Sequence, residues 1–395
     1  MNYKRIDFSP LPAWAETATF APPQGTKEYH VLLHVAAGQG RFEQQLDLLQ
    51  QGFAALLASL PKAQVVMRRY LLSDIANQSP ILQARLAADH QDLGACSMIG
   101  QPPLDGSKIA LWVYLTEGIE VTSTSDRTVT RHNGYRHIWS TNQQSTTGGS
   151  SSQTREILEQ YEADLRHEGL CLADHCLRTW FFIRDVDTNY KGMVEARCNN
   201  FTMQRLTPDT HYIASTGIGG QPIITESRVQ MDAYAIEGLT PADITPGAST
   251  APSPQQQYLY APTHLNPTYQ YGVTFERGTT VSYGDRRHLL ISGTASINNR
   301  GEVVHVGDIE AQTHRMLENI ETLLREGGAT LNDIAQAIIY LRDVADYETV
   351  RRIFDERLPE MPRVITLAPV CRPAWLIEME CIAITDQGDN RWRPY

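Results

Sequence analysis

Two carboxylates, Glu378 and Glu380, stand two residues apart in CRPAWLIEMECIAI (371–384), a stretch whose side chains alternate as in a β-strand. Ile377, Met379, Cys381 and Ala383 form one apolar face, and the two glutamates share the other with Leu376, Ile382 and Ile384. Side chains two steps apart on one strand face lie roughly 6–7 Å from each other. If the face is buried, desolvation and the neighbour's like charge both favour the protonated carboxyl. A glutamate held that way near neutral pH can act as a general acid. At a wet sheet edge the same pair would simply be solvated.

Other residues could serve the same chemistry. Arg363, upstream on the expected partner strand, would hold an anionic group bidentately or neutralise Glu380. Arg277 in FERG and Arg205 in CNNFTMQRL are further candidate anion anchors, although each also reads as a surface arginine. In STGIGG (215–220), backbone amides near Thr216 and Gly217 could cradle a carboxylate, because glycines allow close approach; a plain turn explains the same glycines. Tyr271, in YLYAPTHLNPTYQYG (258–272), is the candidate pocket-lining ring. Cys371 is either an inert thiol or a nucleophile or base, the latter if Arg372 or Arg363 lowers its pKa.

The elements that must position these groups recur along the chain. REGGATLNDIAQAIIYLRDV (325–344) matches HEGLCLADHCLRTWFFIRDV (167–186) at a constant offset, pairing Glu168 with Glu326 and Asp185 with Asp343. LASLPKAQVVMRRYLLSDI (57–75) is a fainter third copy, with Asp74 in the aspartate's place. Each copy orders its elements alike. A strand or hairpin (EYHVLLHVAA, YRHIWSTNQQ, RRHLLISGTASI) leads to an amphipathic helix, then a buried strand ending before the aspartate, a shorter helix and two closing strands. His132-Asn133-Gly134-Tyr135 signals a two-residue hairpin, STTGGSSS (145–152) a flexible loop, and Gly327 a helix C-cap. The pattern predicts an α+β fold of three fused βα units with mixed sheets and helices on one face. Their expected bounds are 1–124, 125–240 and 258–395, with a Pro/Ser/Gln-rich linker at 241–257.

Only the third copy carries the acid. Gln230 and Asp232 of the second copy align with Glu378 and Glu380, and Ala110 and Trp112 occupy those places in the first. A purely structural pair would be expected to repeat with the structure.

Composition bounds the rest. The chain has 395 residues, formal net charge −11 and 42% hydrophobic residues, with no run of Lys or Arg, which disfavours a nucleic-acid partner. No window of about 18 apolar residues suggests a membrane span, and MNYKRIDFSPLPAWAETATF lacks the apolar core of a signal peptide. Six cysteines without a CxxC pair fit reduced thiols in the cytoplasm. His167, Cys171, His175 and Cys176 have metal-like spacing, but the repeat sets His175 opposite Asp333 and Cys176 opposite Ile334, so core and surface roles are expected and no metal is assigned. There is no Walker lysine and no GxSxG elbow.

ISGTASI, AIIYLRDVADYETV, Pro362-Arg363 and LIEMECIAI resemble the Rid/YjgF superfamily, whose small, chorismate-mutase-like βα units usually form homotrimers with ligand sites between subunits. Three units in one chain resemble the chorismatases in particular. The markers are FERG (275–278), SGTASI (292–297), GDIEAQ (307–312), STGIGG, and Cys371 seven residues before Glu378. The likeness covers the last 200 residues well and the first 120 only in outline.

The resemblance implies a cofactor-free, cytoplasmic enzyme, monomeric as an internal pseudo-trimer, that cleaves the enolpyruvyl ether of chorismate to pyruvate and 3-hydroxybenzoate. Glu378 would protonate the methylene carbon, and Arg363, Arg277 and Arg205 would anchor the substrate's carboxylates. Cys371 resembles the residue of hydroxybenzoate-forming members, where a small apolar residue marks those releasing a dihydroxycyclohexadiene carboxylate; Ala295 could weigh toward the latter. A Rid-type enamine/imine deaminase and a non-catalytic small-anion binder are the alternatives.

Overall fold

Runs such as IALWVYLTE, VQMDAYAIE and IEMECIAIT are buried along both faces, as happens when helices cover one side of a sheet and other sheets cover the opposite side. The computed structural model, which describes residues 1–88, 93–240 and 254–395, resolves this pattern into three six-stranded sheets of one topology. From edge to edge the first sheet runs Asn2–Asp7, Ala13–Phe20, Glu28–Val35, Ile109–Glu117, Ala63–Leu72, Ala95–Gly100. The second, in the same sense, runs Glu120–Ser123, Arg127–His132, Tyr135–Gln144, Val229–Glu237, Cys176–Ile183, Ala214–Gly219. The third runs Gln256–Leu259, Gly278–Ser282, Arg287–Ala295, Ile377–Thr385, Ile334–Leu341, Arg363–Leu367. In each sheet the last pair is parallel, and the other pairs are antiparallel. The fold is therefore α+β, a single-chain pseudo-trimer of three like units.

One long helix packs on the outer face of each sheet: Phe42–Ser59, Ser150–His167 and Ile309–Glu326. Leu46, Leu49 and Phe53 meet Val31, Leu33 and Leu111 in the first unit; Ile157, Leu158 and Tyr161 meet Met231 and Ala233 in the second. The third helix is capped by Asp308, whose side chain accepts the amide of Ala311 at 2.9 Å, a cap worth about 1 kcal/mol. The inner faces of the three sheets meet in one core that contains Trp112, Trp139, Trp180, Tyr234, Leu290 and Ile382. Among the described residues no helix is long and apolar enough to cross a membrane.

Register makes the repeat explicit. Ala110 pairs with Leu71, Gln230 with Phe182 and Glu378 with Tyr340, each partner standing three residues before Asp74, Asp185 or Asp343. Two residues on, Trp112, Asp232 and Glu380 face Arg69, Trp180 and Ile338.

Some local expectations shift. His132 and Tyr135 pair across a turn whose Asn133 and Gly134 have φ of 48° and 79°, the hairpin that the sequence signals. Glu120–Ser123 joins the second sheet, so that sheet begins before residue 125. In STTGGSSS the three final serines begin the helix Ser150–His167, with Gly149 extended at its N-cap, so only the first part is loop. Gly327 is the C-cap of the third long helix, but the left-handed conformation falls to Gly328, at φ 82°. Most of the linker expected at 241–257 lies outside the described residues, and Gln256 and Gln257 already belong to the third sheet.

Candidate active site

The strand Ile377–Thr385 carries Glu378 to the seam between the second and third units. Glu378 and Glu380 are 5% and 3% exposed, so the carboxylate pair is dry and not at a wet edge. A pocket opens beside Glu378. The second unit contributes Tyr190, Arg197 and Gly217 to its wall; the third contributes Tyr271, Arg277, Ala295, Cys371, Arg372 and Glu378.

Burial, and after it the charge of Glu380, push Glu378 up to about 8, against the opposing pull of Arg277 and Arg178. The carboxyl is thus an acid at neutral pH. Glu380 has ample company: Arg178 Nη2 lies 2.8 Å from Oε2, Trp180 Nε1 donates to Oε1 at 2.9 Å, and Arg69 Nη1 stands 3.7 Å away. Arg178 Nη2 also donates to Thr216 Oγ1, at 2.5 Å, and Thr216 Oγ1 accepts the amide of Gly293 at 2.9 Å.

Facing the acid are guanidinium groups without carboxylate partners among the described residues. Arg197, on the helix Val186–Met203, is 1% exposed; Nη1 donates to Ser215 Oγ at 3.3 Å, while Nε and Nη2 have no partner. Arg277, 4% exposed, donates to the carbonyl and side chain of Asn266 through Nη2, at 3.1 and 3.4 Å, and its Nε has no partner among the described residues. Arg372 lies 4.9 Å from the centre of the Tyr271 ring and 5.1 Å from that of Trp375. Tyr271 is flanked by two guanidiniums, with Arg277 at 5.4 Å. Orphaned donors buried at a cavity wall are costly unless an anion satisfies them. The arrangement can bind an anionic ring compound and deliver one proton to it.

The sequence-derived candidates divide clearly. Glu378, Cys371, Arg277, Tyr271, Gly217 and Ala295 line the pocket, and Thr216 stands just behind it. Arg363 does not reach it. Its strand pairs in parallel with Ile334–Leu341, where Arg363 faces Ala337 and Glu378 faces Tyr340, three positions or roughly 10 Å along the strand. Arg363 instead pairs with Asp355, donates to the carbonyls of Leu358 and Met361, and gives its amide to Glu16 of the first unit. It neutralises Asp355, not Glu380. Arg205 is exposed just beyond the helix Val186–Met203, in left-handed conformation at φ 62°. The plain turn that would also explain the STGIGG glycines is not formed: Ala214–Gly219 is a strand, in which Ser215 N donates to Ser292 Oγ and Gly219 N to the Pro369 carbonyl. Gly217 serves by its missing side chain, since a Cβ there would lie 3.2 Å from Tyr190 and 3.3 Å from Met193.

Cys371 also behaves differently from a thiolate. Burial, then the charge of Glu378, push its thiol up to about 12, outweighing the hydrogen bond of Tyr190 and the charge of Arg372. Arg197, Arg372, Tyr190 and Arg178 were not among the expected site residues. Arg178 was signalled by being the only charge in CLRTWFFI, and Arg69 by the RR within AQVVMRRYLL. Away from the pocket, Cys171, Asp174 and His175 converge within 4.8 Å, but they satisfy one another: the Cys171 thiol donates to Asp174 at 3.1 Å and its amide to His175 Nδ1 at 3.1 Å, as a helix cap.

Comparison with known proteins agrees with this architecture. The family model described as endoribonuclease L-PSP matches residues 280–385. A 3-aminoacrylate deaminase RutC of Acinetobacter baylyi is 36% identical over 97 residues, 24% of this chain and 77% of the relative. A RutC family protein of Pyrococcus abyssi is 37% identical over 98 residues, 24% of this chain and 76% of the relative. A solved chorismatase structure superposes with TM-score 0.60 at 18% identity, covering 81% of this chain and 93% of that one, which shows a shared fold. Through its third unit the chain belongs to the Rid/YjgF (L-PSP) family.

Proposed function

We propose that the chain is a chorismatase-type enzyme that cleaves the enolpyruvyl ether of chorismate. The observation that carries the reading is a buried carboxyl raised to about 8, Glu378, facing unpaired buried donors of Arg197 and Arg277 across one cavity. Chorismate brings two carboxylates, a ring and an ether whose cleavage starts with proton transfer to carbon. The two guanidiniums bind the carboxylates by charge-assisted hydrogen bonds, and Glu378 delivers the proton to the methylene carbon. Loss of the proton leaves a Glu378 carboxylate beside the oxocarbenium ion, where it stabilises the cation and then serves as base.

Two exits follow. If water adds to the cation, its proton passes to Glu378, and the hemiketal collapses to pyruvate and a dihydroxycyclohexadiene carboxylate, consuming one water. If the ring aromatises, the hydroxyl next to the ether leaves as water with a ring proton, one water is taken up at the oxocarbenium carbon to complete pyruvate, and chorismate divides into pyruvate and 3-hydroxybenzoate with no net water. Cys371 in the pocket wall supports the second exit, toward 3-hydroxybenzoate. The likeness of the fold to a chorismatase supports the reaction class.

A Rid-type deaminase reading draws on the RutC relatives and also pairs an arginine with the strand glutamate. Here Arg363 is engaged by Asp355 and the first unit, away from Glu378. Incubation with chorismate and assay of pyruvate tests the choice: release of pyruvate is expected, and its absence alongside turnover of 3-aminoacrylate would favour the deaminase.

A further inference from the structure

Glu380 occupies a position where the three units meet. In the repeat it corresponds to Asp232 of the second unit and Trp112 of the first. Arg69 of the first unit bridges the two acids, 2.9 Å from Asp232 and 3.7 Å from Glu380, while its guanidinium stacks over Trp112, Trp180 and Phe182 at 5.3, 4.8 and 5.0 Å. Arg178 completes the group against Glu380. Two arginines thus balance two carboxylates, all of them buried. Buried ions of this kind persist only when paired and hydrogen-bonded. Arg178, already paired with Glu380, opposes the shift of Glu378 together with Arg277 but does not cancel it, and the other ionisable neighbours of Glu378 are Cys371, Tyr190 and Tyr340.

We propose that Glu380 is a positioning residue, an ionised carboxylate fixed by Arg178 and Trp180 of the second unit and Arg69 of the first, whose standing charge keeps Glu378 protonated. The first unit, which has alanine where the acid would be, then still acts on the reaction by holding that charge in place. The catalytic consequence rests on the general-acid role of Glu378 proposed above; the charge relationship does not. The direction of Glu378's displacement agrees with a negative neighbour.

Infrared pH titration of the whole protein without substrate tests this, following the protonated-carboxyl band that disappears in Glu378→Gln. In the wild type the band is expected to persist to about pH 8. In Glu380→Gln it should be lost about one pH unit lower, a tenfold fall in the protonated-to-ionised ratio at fixed pH. Trp180→Phe removes a donor to the anion without changing the formal charge, so the band should persist to higher pH than in the wild type. This opposite shift is read even if Glu380→Gln does not fold. A midpoint that stays in place in the folded variants overturns the proposal. The band requires no turnover, so a protein inactive on chorismate could still show both shifts.

Discussion

Gly293 leaves open the space that the Glu378 carboxyl fills: a Cβ built on Gly293 would overlap Glu378 Oε1 and lie 3.0 Å from Thr216 Cγ2. The glycine lies at the irregular step in pairing between Ile291 and Thr294, where the strand Arg287–Ala295 meets Ile377–Thr385. Its φ is not left-handed, so the requirement is for room and not for backbone freedom. Gly293→Ala should therefore fold but push the acid aside. Overpacking of this kind costs about 1–3 kcal/mol, and a displacement of about 1 Å at the reacting group costs on the order of 100-fold in rate. A thermal melt and kcat/KM on one preparation separate the two effects; near-wild-type turnover would show that the carboxyl position is uncritical.

Protonation of Glu378 sets the pH dependence. The acid form is the active one, so kcat/KM should be level below about pH 8 and fall tenfold per unit above it. Glu378→Gln should lower turnover by roughly 10²–10⁴-fold while leaving substrate binding intact. Stability has the matching sign. With the folded value raised from 4.5 to about 8, the native state holds a proton that the unfolded chain releases, so wild-type stability declines as pH rises through that window. Glu378→Gln lacks this decline, and its Tm should gain on the wild type between pH 5 and pH 8. Parallel Tm-versus-pH curves would rule the buried acid out.

Much of this was legible in the sequence because periodicity and repetition are local signals. The alternation around Glu378, the constant offset of the copies and the Asp74, Asp185 and Asp343 landmarks fixed which strand positions correspond. The anchors were harder, because proximity along the chain is a poor guide to proximity across a sheet. Arg363 looked like the partner of Glu378, yet Ile334–Leu341 lies between their strands and the register carries Arg363 toward the first unit. Arg197 was hidden for the opposite reason: it sits on a helix of another unit, two turns from Tyr190 on the same face. Its pattern in the sequence is that of an ordinary helix arginine. Arg178 and Arg69, charges inside largely apolar strands, carried a signal that the sequence reading did not use.

Arg197 offers a trade between stability and binding. Its Nε and Nη2 are buried without a partner among the described residues, and burial lowers the pKa of the guanidinium. Arg197→Met keeps much of the side-chain volume and removes the desolvated charge, so the free protein should be more stable, by about 1 kcal/mol or more. The same change removes a charge-assisted contact worth about 1.5–3 kcal/mol to an anionic ligand, which predicts a rise in KM of about 10- to 100-fold. Calorimetry with and without chorismate measures both signs. A variant that is destabilised yet binds normally would make Arg197 a structural residue.

In the proposed reaction Cys371 is the residue that would decide between the two exits, and its protonation state limits how. With the thiol pushed up to about 12 it is neutral at physiological pH, so it cannot attack as a ready-made thiolate. It can act only after a base takes its proton, and the carboxylate left on Glu378 by the first proton transfer is such a base within the same pocket. Cys371 is then useful only after ether protonation has begun, an order that guards the thiol against reaction with the unactivated substrate. Cys371→Ala should preserve pyruvate release to within about tenfold, because the first proton transfer does not involve sulfur. Water should then capture the cation, and the ring product should move from 3-hydroxybenzoate toward the dihydroxycyclohexadiene carboxylate. Chromatography of the ring products, alongside a pyruvate assay, reads both consequences. An unchanged product ratio removes the thiol from the partition and leaves Ala295, on the same pocket wall, as the residue to vary next.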